Sequence, residues 1–260
     1  MTEKIQRKSS ITDMPDKGMI GFFKDMVHPA MCAACGKISP EYLCSHCLNG
    51  ILPIDINKCC QWCGRLFPYL VAGTMPGHSE EAISSADRPG SKEGICSSCR
   101  KSDLNFTRHR SYTLYTGDMK KIIKKFKYKK IYGLDNALAG FLFKTYRKYF
   151  FGESIDYIEA VPGDHTKKLA EKFAKIVKIP FKGNIIKIRD IRRQSGLDLD
   201  ARRINILDAF KLRNCLAYRN KNILILDDVW TTGSTLKEVC RIVRQGGAGK
   251  VFLLTLARGA

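Results

Sequence analysis

The feature that most constrains the fold is an apolar run that leads directly into two acids and then into a loop rich in hydroxyl groups. Residues 222–235 read NILILDDVWTTGST. The continuous apolar stretch, Ile223 to Leu226, is typical of a parallel strand that is buried on both faces. Asp227 and Asp228 are therefore predicted at the carboxyl end of that strand, where ligands bind in open α/β sheets.

The loop after the two acids has the composition of an anion site. A helix is expected to begin near Ser234 and to include the amphipathic segment 236–245, so its free N–H groups and positive dipole end would point into the loop. Two carboxylates would repel a phosphate, but they could accept hydrogen bonds from the two hydroxyls of a ribose. The segment thus predicts a sugar phosphate site. Its candidate phosphate-binding residues are Thr231, Thr232, Gly233, Ser234 and Thr235.

This segment resembles the phosphoribosyl pyrophosphate motif of type I phosphoribosyltransferases, in which hydrophobic residues precede two acids and a Thr-Thr-Gly-Ser/Thr-Thr loop. The resemblance implies that Asp227 and Asp228 hold the ribose and that the loop binds its 5-phosphate. It also implies Mg²⁺, bound largely through oxygens of the pyrophosphate. Two alternatives stay open: an ordinary strand-turn-helix with chance acids, and a domain that binds the ligand without catalysis.

Eight of the eleven cysteines form four CxxC pairs. A pair followed by glycine precedes a plain pair twice in succession, and four thiolates suit one tetrahedral zinc ion, so two structural zinc sites are predicted. Disulfides fit poorly because no signal peptide opens the chain. Spacing alone leaves an interleaved pairing open, and Cys59 could replace Cys60. In the simplest, sequential pairing the ligands are Cys32, Cys35, Cys44 and Cys47 for one ion and Cys60, Cys63, Cys96 and Cys99 for the other.

The whole chain predicts a tail at residues 1–28, a double zinc ribbon at 29–104 with an insertion at 70–95, and an α/β domain at 105–260. In the last part, strand patterns at 111–115, 157–161, 185–188 and 251–256 alternate with helix patterns at 119–128, 134–149 and 167–177. Asp118 is a candidate cap for the first of these helices. The alternation predicts a parallel sheet covered by helices. Since no apolar run approaches roughly 20 residues, we expect no membrane insertion and a cytoplasmic location.

Together these parts resemble the ComF family, whose members join an N-terminal double zinc ribbon to a phosphoribosyltransferase-like domain. The resemblance extends over most of residues 29–258 and includes the segments 194–197 (QSGL) and 256–258 (LAR). The family is associated with natural transformation, in which bacteria take up single-stranded DNA, and a helicase acts in the same pathway. The resemblance therefore implies phosphoribosyl pyrophosphate as a ligand, a role in DNA uptake, and single-stranded DNA and a competence helicase as candidate partners.

One segment departs from the ComF pattern. Where the family usually has Pro-Leu-His and then Arg-Gly-Phe-Asn-Gln, this chain reads PGDHTKKLAE over residues 162–171. The corresponding loop of type I phosphoribosyltransferases helps to bind the pyrophosphate, for which His165, Lys167 and Lys168 could substitute here. Residues 189–203 are either a solvated basic loop or a mobile flap that closes over the leaving group. The flap candidates are Arg192, Arg193, Gln194, Ser195, Arg202 and Arg203.

A strong positive charge supports a second hypothesis. The formal net charge is +20, and lysines crowd into residues 120–130, interleaved with Phe126 and Tyr128. On a helix, Ile122, Ile123 and Phe126 would face the core and most lysines would face solvent, which is either an ordinary solvated face or a nucleic-acid surface. The second hypothesis is a non-catalytic adaptor for single-stranded DNA with a vestigial or sensory ligand pocket. Its candidate residues are Lys120, Lys121, Lys124, Lys125, Lys127, Lys129 and Lys130.

Overall fold

The structure, a computed structural model, describes residues 31–67, 94–101, 104–189 and 206–259. The predicted tail, nearly all of the predicted insertion and the flap candidates lie outside these ranges. The described strands are β1 Arg108–Leu114, β2 Tyr157–Ala160, β3 Ile185–Lys187, β4 Phe210–Leu212, β5 Ile223–Trp230 and β6 Val251–Arg258. The described helices are α1 Ser45–Gly50, α2 Ser97–Arg100, α3 Gly117–Tyr128, α4 Asp135–Tyr149, α5 Asp164–Val177 and α6 Ser234–Gln245, with short 3-10 turns at Ile56–Lys58, Tyr132–Leu134 and Cys215–Tyr218.

Four parallel strands form the central sheet, in the order β1-β6-β5-β2. The apolar run of β5 and the first residues of β6 are completely buried, as expected for parallel strands that are covered on both faces. The predicted parallel sheet with flanking helices is therefore confirmed. A separate antiparallel pair joins β3 to β4. The sequence predicted β3 but not β4.

The two acids lie in the carboxyl-terminal half of β5, which continues past them to Trp230 and is therefore longer than the apolar run. Pairing between β5 and β6 continues as far as Trp230 and Arg258, whereas pairing between β5 and β2 stops at Leu226 and Ala160. The apolar run ends where β2 ends, because beyond that point one side of β5 is no longer covered by a neighbouring strand. Asp227 therefore follows the last β2-paired residue, and its backbone is still paired with β6.

The predicted cap of α3 was wrong. The helix begins at Gly117, preceded by Thr116 in an extended conformation, which places Asp118 in the first turn. Its Oδ1 atom instead accepts a hydrogen bond from Lys121 Nζ at 2.8 Å. The predicted core face of the helix is confirmed, since Ile122, Ile123 and Phe126 are buried. Among the described helices, none is long and apolar enough to cross a membrane.

The two faces of the sheet carry separate hydrophobic cores. One core packs α3, α4 and α5 against the sheet and includes Phe126, Leu142 and Phe173. The other core includes Trp230 and Val239 and is covered by α6 together with β3 and β4. Each core also takes in part of the cysteine-rich module: residues around Cys32 join the first, and residues around Cys60 join the second.

The cysteine-rich module covers the open edge of the sheet at β1. Ile54 N donates to Tyr112 O at 2.7 Å, and His109 N donates to Trp62 O at 2.8 Å. The Tyr112 hydroxyl also donates to Ile51 O at 3.2 Å. These bonds satisfy backbone groups that an edge strand would otherwise leave open to pairing with another chain. The module and the α/β domain are therefore directly hydrogen-bonded to each other.

Candidate ligand site and metal centres

A buried carboxylate lies on β5, beyond the last residue that pairs with β2. Asp228 is 4% exposed. Its Oδ2 atom is 3.2 Å from Lys127 Nζ, on α3, and 3.3 Å from His165 Nε2, on α5. Side chains from three separate elements, β5, α3 and α5, thus meet at one buried carboxylate.

Each of the two acids accepts a backbone hydrogen bond through its Oδ1 atom. Asp227 Oδ1 accepts from the N–H of Asp228, and Asp228 Oδ1 accepts from the N–H of Val229, each at 2.8 Å. Asp228 Oδ2 has two positively polarised neighbours at ion-pair distance but accepts no well-aligned hydrogen bond from the described residues. The Lys127 ammonium at 3.2 Å offsets part of the cost of burying this charge.

The environment separates the acidities of the two carboxyls. Burial would raise the pKa of Asp228. The polar interaction with His165 and the charge of Lys127 outweigh burial and hold that pKa well below its usual value. Burial, reinforced by the negative charge of Asp228, raises the pKa of Asp227 well above its usual value. Of the pair, Asp228 carries the negative charge, and Asp227 is the carboxyl that gains a proton first as pH falls.

The loop after β5 leads directly into the amino terminus of α6. Gly233 has a φ of 78° and precedes the first helical residue, Ser234. A Cβ atom at Gly233 would lie 2.6 Å from the ring of Trp230, so glycine is required both by the backbone angle and by the ring beneath it. Thr232 Oγ1 and Ser234 Oγ lie 3.0 Å apart. We call residues 231–235 the phosphate loop; its hydroxyls and the free N–H groups of α6 can bind an anion.

The three candidate pyrophosphate donors separate in the structure. His165 reaches Asp228, as described above. Lys167 instead points along α5, with its Nζ 3.9 Å from Glu171 Oε1 and its side chain 63% exposed. Lys168 is also exposed on that helix. His165 is therefore at ion-pair distance from Asp228, whereas Lys167 pairs with Glu171.

The lysines of α3 also separate into two groups. Lys120, Lys121, Lys124, Lys129 and Lys130 are exposed, and Lys125 is half-buried. Lys127, which the sequence placed on the nucleic-acid surface, contacts Asp228 instead. The spacing held a signal for this position: Lys127 follows the buried Ile123 by four residues, so both lie on the same side of the helix.

The eight CxxC cysteines form two groups in sequential order. Each group has its four sulfur atoms within 4.8 Å of one another. We call the first group cluster one and the second cluster two. Cluster one is Cys32, Cys35, Cys44 and Cys47; cluster two is Cys60, Cys63, Cys96 and Cys99.

The two clusters are built by the same backbone structure. Cys32 N donates to Lys37 O and Cys60 N donates to Arg65 O, both at 2.8 Å. The glycine after each first pair, Gly36 or Gly64, has a positive φ and donates its N–H to the carbonyl of the first cysteine at 2.9 Å. The sequence repeat is thus a structural repeat, in which the turn brings both thiols of a pair to the same point.

The sulfur positions fit a zinc ion. Cys35 Sγ and Cys44 Sγ lie 3.9 Å apart, and Cys63 Sγ and Cys96 Sγ lie 3.8 Å apart. Sulfur atoms at tetrahedral positions around zinc, each about 2.3 Å from the ion, are separated by about 3.8 Å. Cys59, the alternative ligand, is not part of a cluster: its Sγ donates to Ile56 O at 3.3 Å, and burial raises its pKa to about 11. Both clusters could therefore bind zinc.

Comparisons with known proteins agree with this architecture. Residues 166–260 match the phosphoribosyl transferase domain family. Competence protein F of Haemophilus influenzae is 27% identical over 238 residues, which cover 84% of this chain and 97% of that protein. DNA utilization protein YhgH of Escherichia coli O157:H7 is 35% identical over 74 residues, 28% of this chain and 32% of that protein.

A solved structure of adenine phosphoribosyl transferase from Trypanosoma brucei, in complex with AMP, pyrophosphate and ribose-5-phosphate, aligns with 50% of this chain and 66% of its own, at 16% identity and a TM-score of 0.36. The assignment rests on the domain match and on the relatives. The chain carries a type I phosphoribosyltransferase domain, with a parallel sheet and flanking helices, behind a module of two four-cysteine clusters. The domain match and the likeness to these two relatives support a protein of the ComF family.

Proposed function

We propose that the protein binds phosphoribosyl pyrophosphate with Mg²⁺ beside β5 and acts in DNA uptake for natural transformation, in the cytoplasm. Membership of the ComF family and the likeness to Competence protein F support the cellular role. The observation that carries the ligand is Asp228, a buried carboxylate that Lys127 and His165 approach from two helices, in the strand that leads into the hydroxyl-rich loop before α6.

Each part of the ligand has a chemical counterpart among the described residues. Asp227 and Asp228 would accept hydrogen bonds from the ribose hydroxyls, and the phosphate loop would bind the 5-phosphate through hydroxyls and the N–H groups of α6. Lys127 and His165 would then face the anionic pyrophosphate. Mg²⁺, when bound, would neutralise that group mainly through the oxygens of the ligand. Lys127 thus joins the proposed ligand site, in place of its expected role on the DNA surface.

The reaction class that such a site supports is pentosyl transfer. The bond between the anomeric carbon and pyrophosphate would break, the electron pair would leave with pyrophosphate, and an acceptor nucleophile would bond to that carbon. A protein nucleophile is not required, because positioning and charge stabilisation suffice. Asp228 would stabilise the positive charge that develops on the ribose ring. The flap candidates at 192–203 would exclude water, and they lie outside the described residues.

Titration calorimetry of phosphoribosyl pyrophosphate, with and without Mg²⁺, tests the proposal. The informative variant is Asp227→Asn with Asp228→Asn, which keeps both shapes and removes the negative charge. Asp118→Asn is the matched control, since Asp118 is an acid on α3 that pairs only with Lys121 among its described contacts. We expect magnesium-dependent binding in the wild type and the control, and affinity at least about 100-fold weaker in the double variant.

A folded, zinc-loaded wild type that does not bind the ligand would overturn the ligand proposal. Equal affinity in the double variant would move the site away from β5. The cellular role is read separately, as transformation frequency in a naturally competent host that carries the same variants. Unchanged transformation after deletion of the whole protein would rule out a role in DNA uptake.

A second candidate function, binding of single-stranded DNA, is favoured by the exposed residues of α3. Five lysines on and just after this helix are exposed, and Tyr128, among them, is 72% exposed. Lysines can bind phosphates without reading sequence, and an exposed aromatic ring can stack on an unpaired base. In this candidate the ligand pocket would be sensory or vestigial. A competence helicase as a partner also stays a prediction.

Fluorescence anisotropy with labelled single-stranded DNA at increasing salt tests this candidate. The variant changes Lys120, Lys124 and Lys129 to Gln, and the control changes Lys175, Lys178 and Lys211, exposed lysines on other elements, to Gln. Three lost phosphate contacts should lower the log-log salt slope by about 2, at about 0.7 per contact. An equal loss in the control would mean that only net charge matters and that α3 is not the binding surface.

A further inference from the structure

Arg258, at the end of β6, is a buried cation that contacts a thiol of cluster two. Its Nη2 atom donates to Cys63 Sγ at 3.8 Å, while Nε and Nη1 are buried without a hydrogen-bond partner among the described residues. The groups whose charges act on it include Cys63, Cys96, Cys99 and Arg65. Four thiolates around one divalent ion carry a net charge of about −2. A metal-loaded cluster two would therefore provide the counter-charge for this guanidinium.

The same guanidinium lies against Trp230, the last residue of β5. Arg258 Cζ is 5.1 Å from the centre of the Trp230 ring. The His109 ring centre is 4.3 Å from the same ring centre, and His109 Nδ1 lies 2.8 Å from Cys63 O. Trp230 is 3% exposed, so its ring has no room to turn without moving these neighbours. Two separate contacts thus connect cluster two to one ring.

The Trp230 ring also forms the floor of the phosphate loop. The three ring atoms nearest to a Cβ built on Gly233 would lie 2.6–2.7 Å from it, so the glycine backbone rests on the ring. Gly233 O in turn accepts from Lys237 N at 2.8 Å, which fixes the first turn of α6. A shift of the ring would therefore change the position of the loop that is proposed to bind the 5-phosphate.

We propose that cluster two positions the phosphate loop, with Arg258 as the positioning residue and Trp230 as the group through which it acts. Metal in cluster two holds the guanidinium, the guanidinium and His109 hold the ring, and the ring holds Gly233. Cluster one joins the other core of the sheet and has no part in this chain of contacts. Ligand affinity therefore depends on metal in cluster two. This inference rests on the proposed function for its ligand, and its test includes readouts that do not need the ligand.

The test compares Arg258→Met with Arg65→Met in the full-length protein. Arg65 is the control because it lies on the turn of cluster two, but its Nη1 donates outward to the exposed Ser98 hydroxyl. Three quantities are measured: release of zinc to a coloured chelator, affinity for phosphoribosyl pyrophosphate with Mg²⁺, and emission of Trp230. The chain has two tryptophans, so a Trp62→Phe background isolates the Trp230 signal.

We expect Arg258→Met to weaken retention of one of two zinc ions about tenfold or more, to shift Trp230 emission, and to weaken ligand binding about tenfold. Arg65→Met should leave all three within about twofold of wild type. Arg258→Lys, which keeps the charge but not the planar fork, should recover part of the zinc retention. A folded Arg258→Met protein with unchanged ligand affinity overturns the inference.

A second variant keeps the inference testable if Arg258→Met does not fold. Trp230→Phe should weaken ligand binding, because the ring contacts Gly233. It should leave zinc retention unchanged, because Arg258 still contacts cluster two. The inference is overturned if Trp230→Phe loses zinc at the same rate as the wild type and also binds the ligand with the same affinity. If wild type itself binds no phosphoribosyl pyrophosphate, the proposed function fails, and the inference is then decided by Trp230 emission alone: no shift when zinc leaves cluster two overturns it.

Discussion

Clusters one and two have the same backbone turn and different surroundings. In cluster one, Cys35 is exposed and Cys44 is half-buried, whereas all four cysteines of cluster two are buried. Cluster one belongs to the core beneath α3 and α4, and cluster two to the core beneath α6 and the phosphate loop. A repeated sequence motif therefore produces one four-cysteine cluster at the surface and one inside the molecule.

The difference follows from where each cluster meets the sheet. Cluster two lies beside β1 and β6, where His109 and Arg258 contact Cys63 through its carbonyl and its sulfur. Cluster one joins the core on the other face of the sheet, and its exposed thiol, Cys35, is 3.9 Å from Cys44 Sγ. Cluster two thus belongs to the same core as Trp230 and the buried face of α6. We expect the same substitution to have larger and longer-range effects in cluster two than in cluster one.

The largest difference is expected when one metal ligand is removed from each cluster. Cys63→Ser should cost at least about 3 kcal/mol and lower Tm by roughly 10 °C, because it loosens a buried metal site within a core. Cys35→Ser should retain its zinc less tightly and lower Tm by less than half as much, since the lost ligand faces solvent. Thermal melts, with zinc content measured on the same samples, check this. Equal losses would show that the clusters are energetically equivalent despite their burial.

A smaller difference is expected from the two glycines that shape the turns. Gly36 and Gly64 have φ angles of 76° and 64°, so alanine at either position costs about 1 kcal/mol or more of backbone strain. A Cβ at Gly36 would meet nothing within 4 Å, whereas one at Gly64 would lie 3.3 Å from His109 O. Gly64→Ala should therefore be the more destabilising by about 1 kcal/mol. Urea unfolding of both variants measures the difference; equal midpoints would mean that β1 yields freely to the added methyl group.

Sequence alone predicted the parts of this molecule that depend on local pattern. The CxxC spacing anticipated two four-cysteine groups, and the apolar runs at 223–226 and 251–256 identified the two central strands. Periodicity also gave the buried face of α3. These features are encoded within a few residues of one another, so no knowledge of the folded chain is needed to find them.

Contacts between distant residues were the parts that sequence could not supply. Lys127 was assigned to the solvent-facing basic surface because six neighbouring lysines suggested it, yet α3 turns it towards Asp228. The pairing of β5 with β6 beyond the end of β2 likewise depends on which strands are neighbours. Arg258 and Trp230 gave no signal of their link to Cys63 and Gly233, since that link exists only once β5, β6 and cluster two are side by side.

The smallest expected effect concerns a buried acid on α6. Glu238, on α6, is buried and accepts hydrogen bonds from Arg241 Nε and Nη2 and from the N–H of Asp208. The hydrogen bonds from Arg241 lower the pKa of Glu238. A lowered folded-state pKa means that the charged acid stabilises the fold above its unfolded pKa of about 4.5, and that this contribution disappears as pH falls through the lower, folded-state value.

Glu238→Gln should therefore destabilise the protein by about 1 kcal/mol at pH 7, an amount kept small because Arg241 is partly exposed to solvent. The difference from wild type should shrink as pH falls below about 4.5. Both proteins lose zinc in acid as their thiolates gain protons, but that loss is common to the pair and cancels in the difference. Urea unfolding of both proteins across this pH range supplies the measurement. A difference that stays constant with pH would mean that the shape of the Glu238 side chain, and not its charge, stabilises the fold.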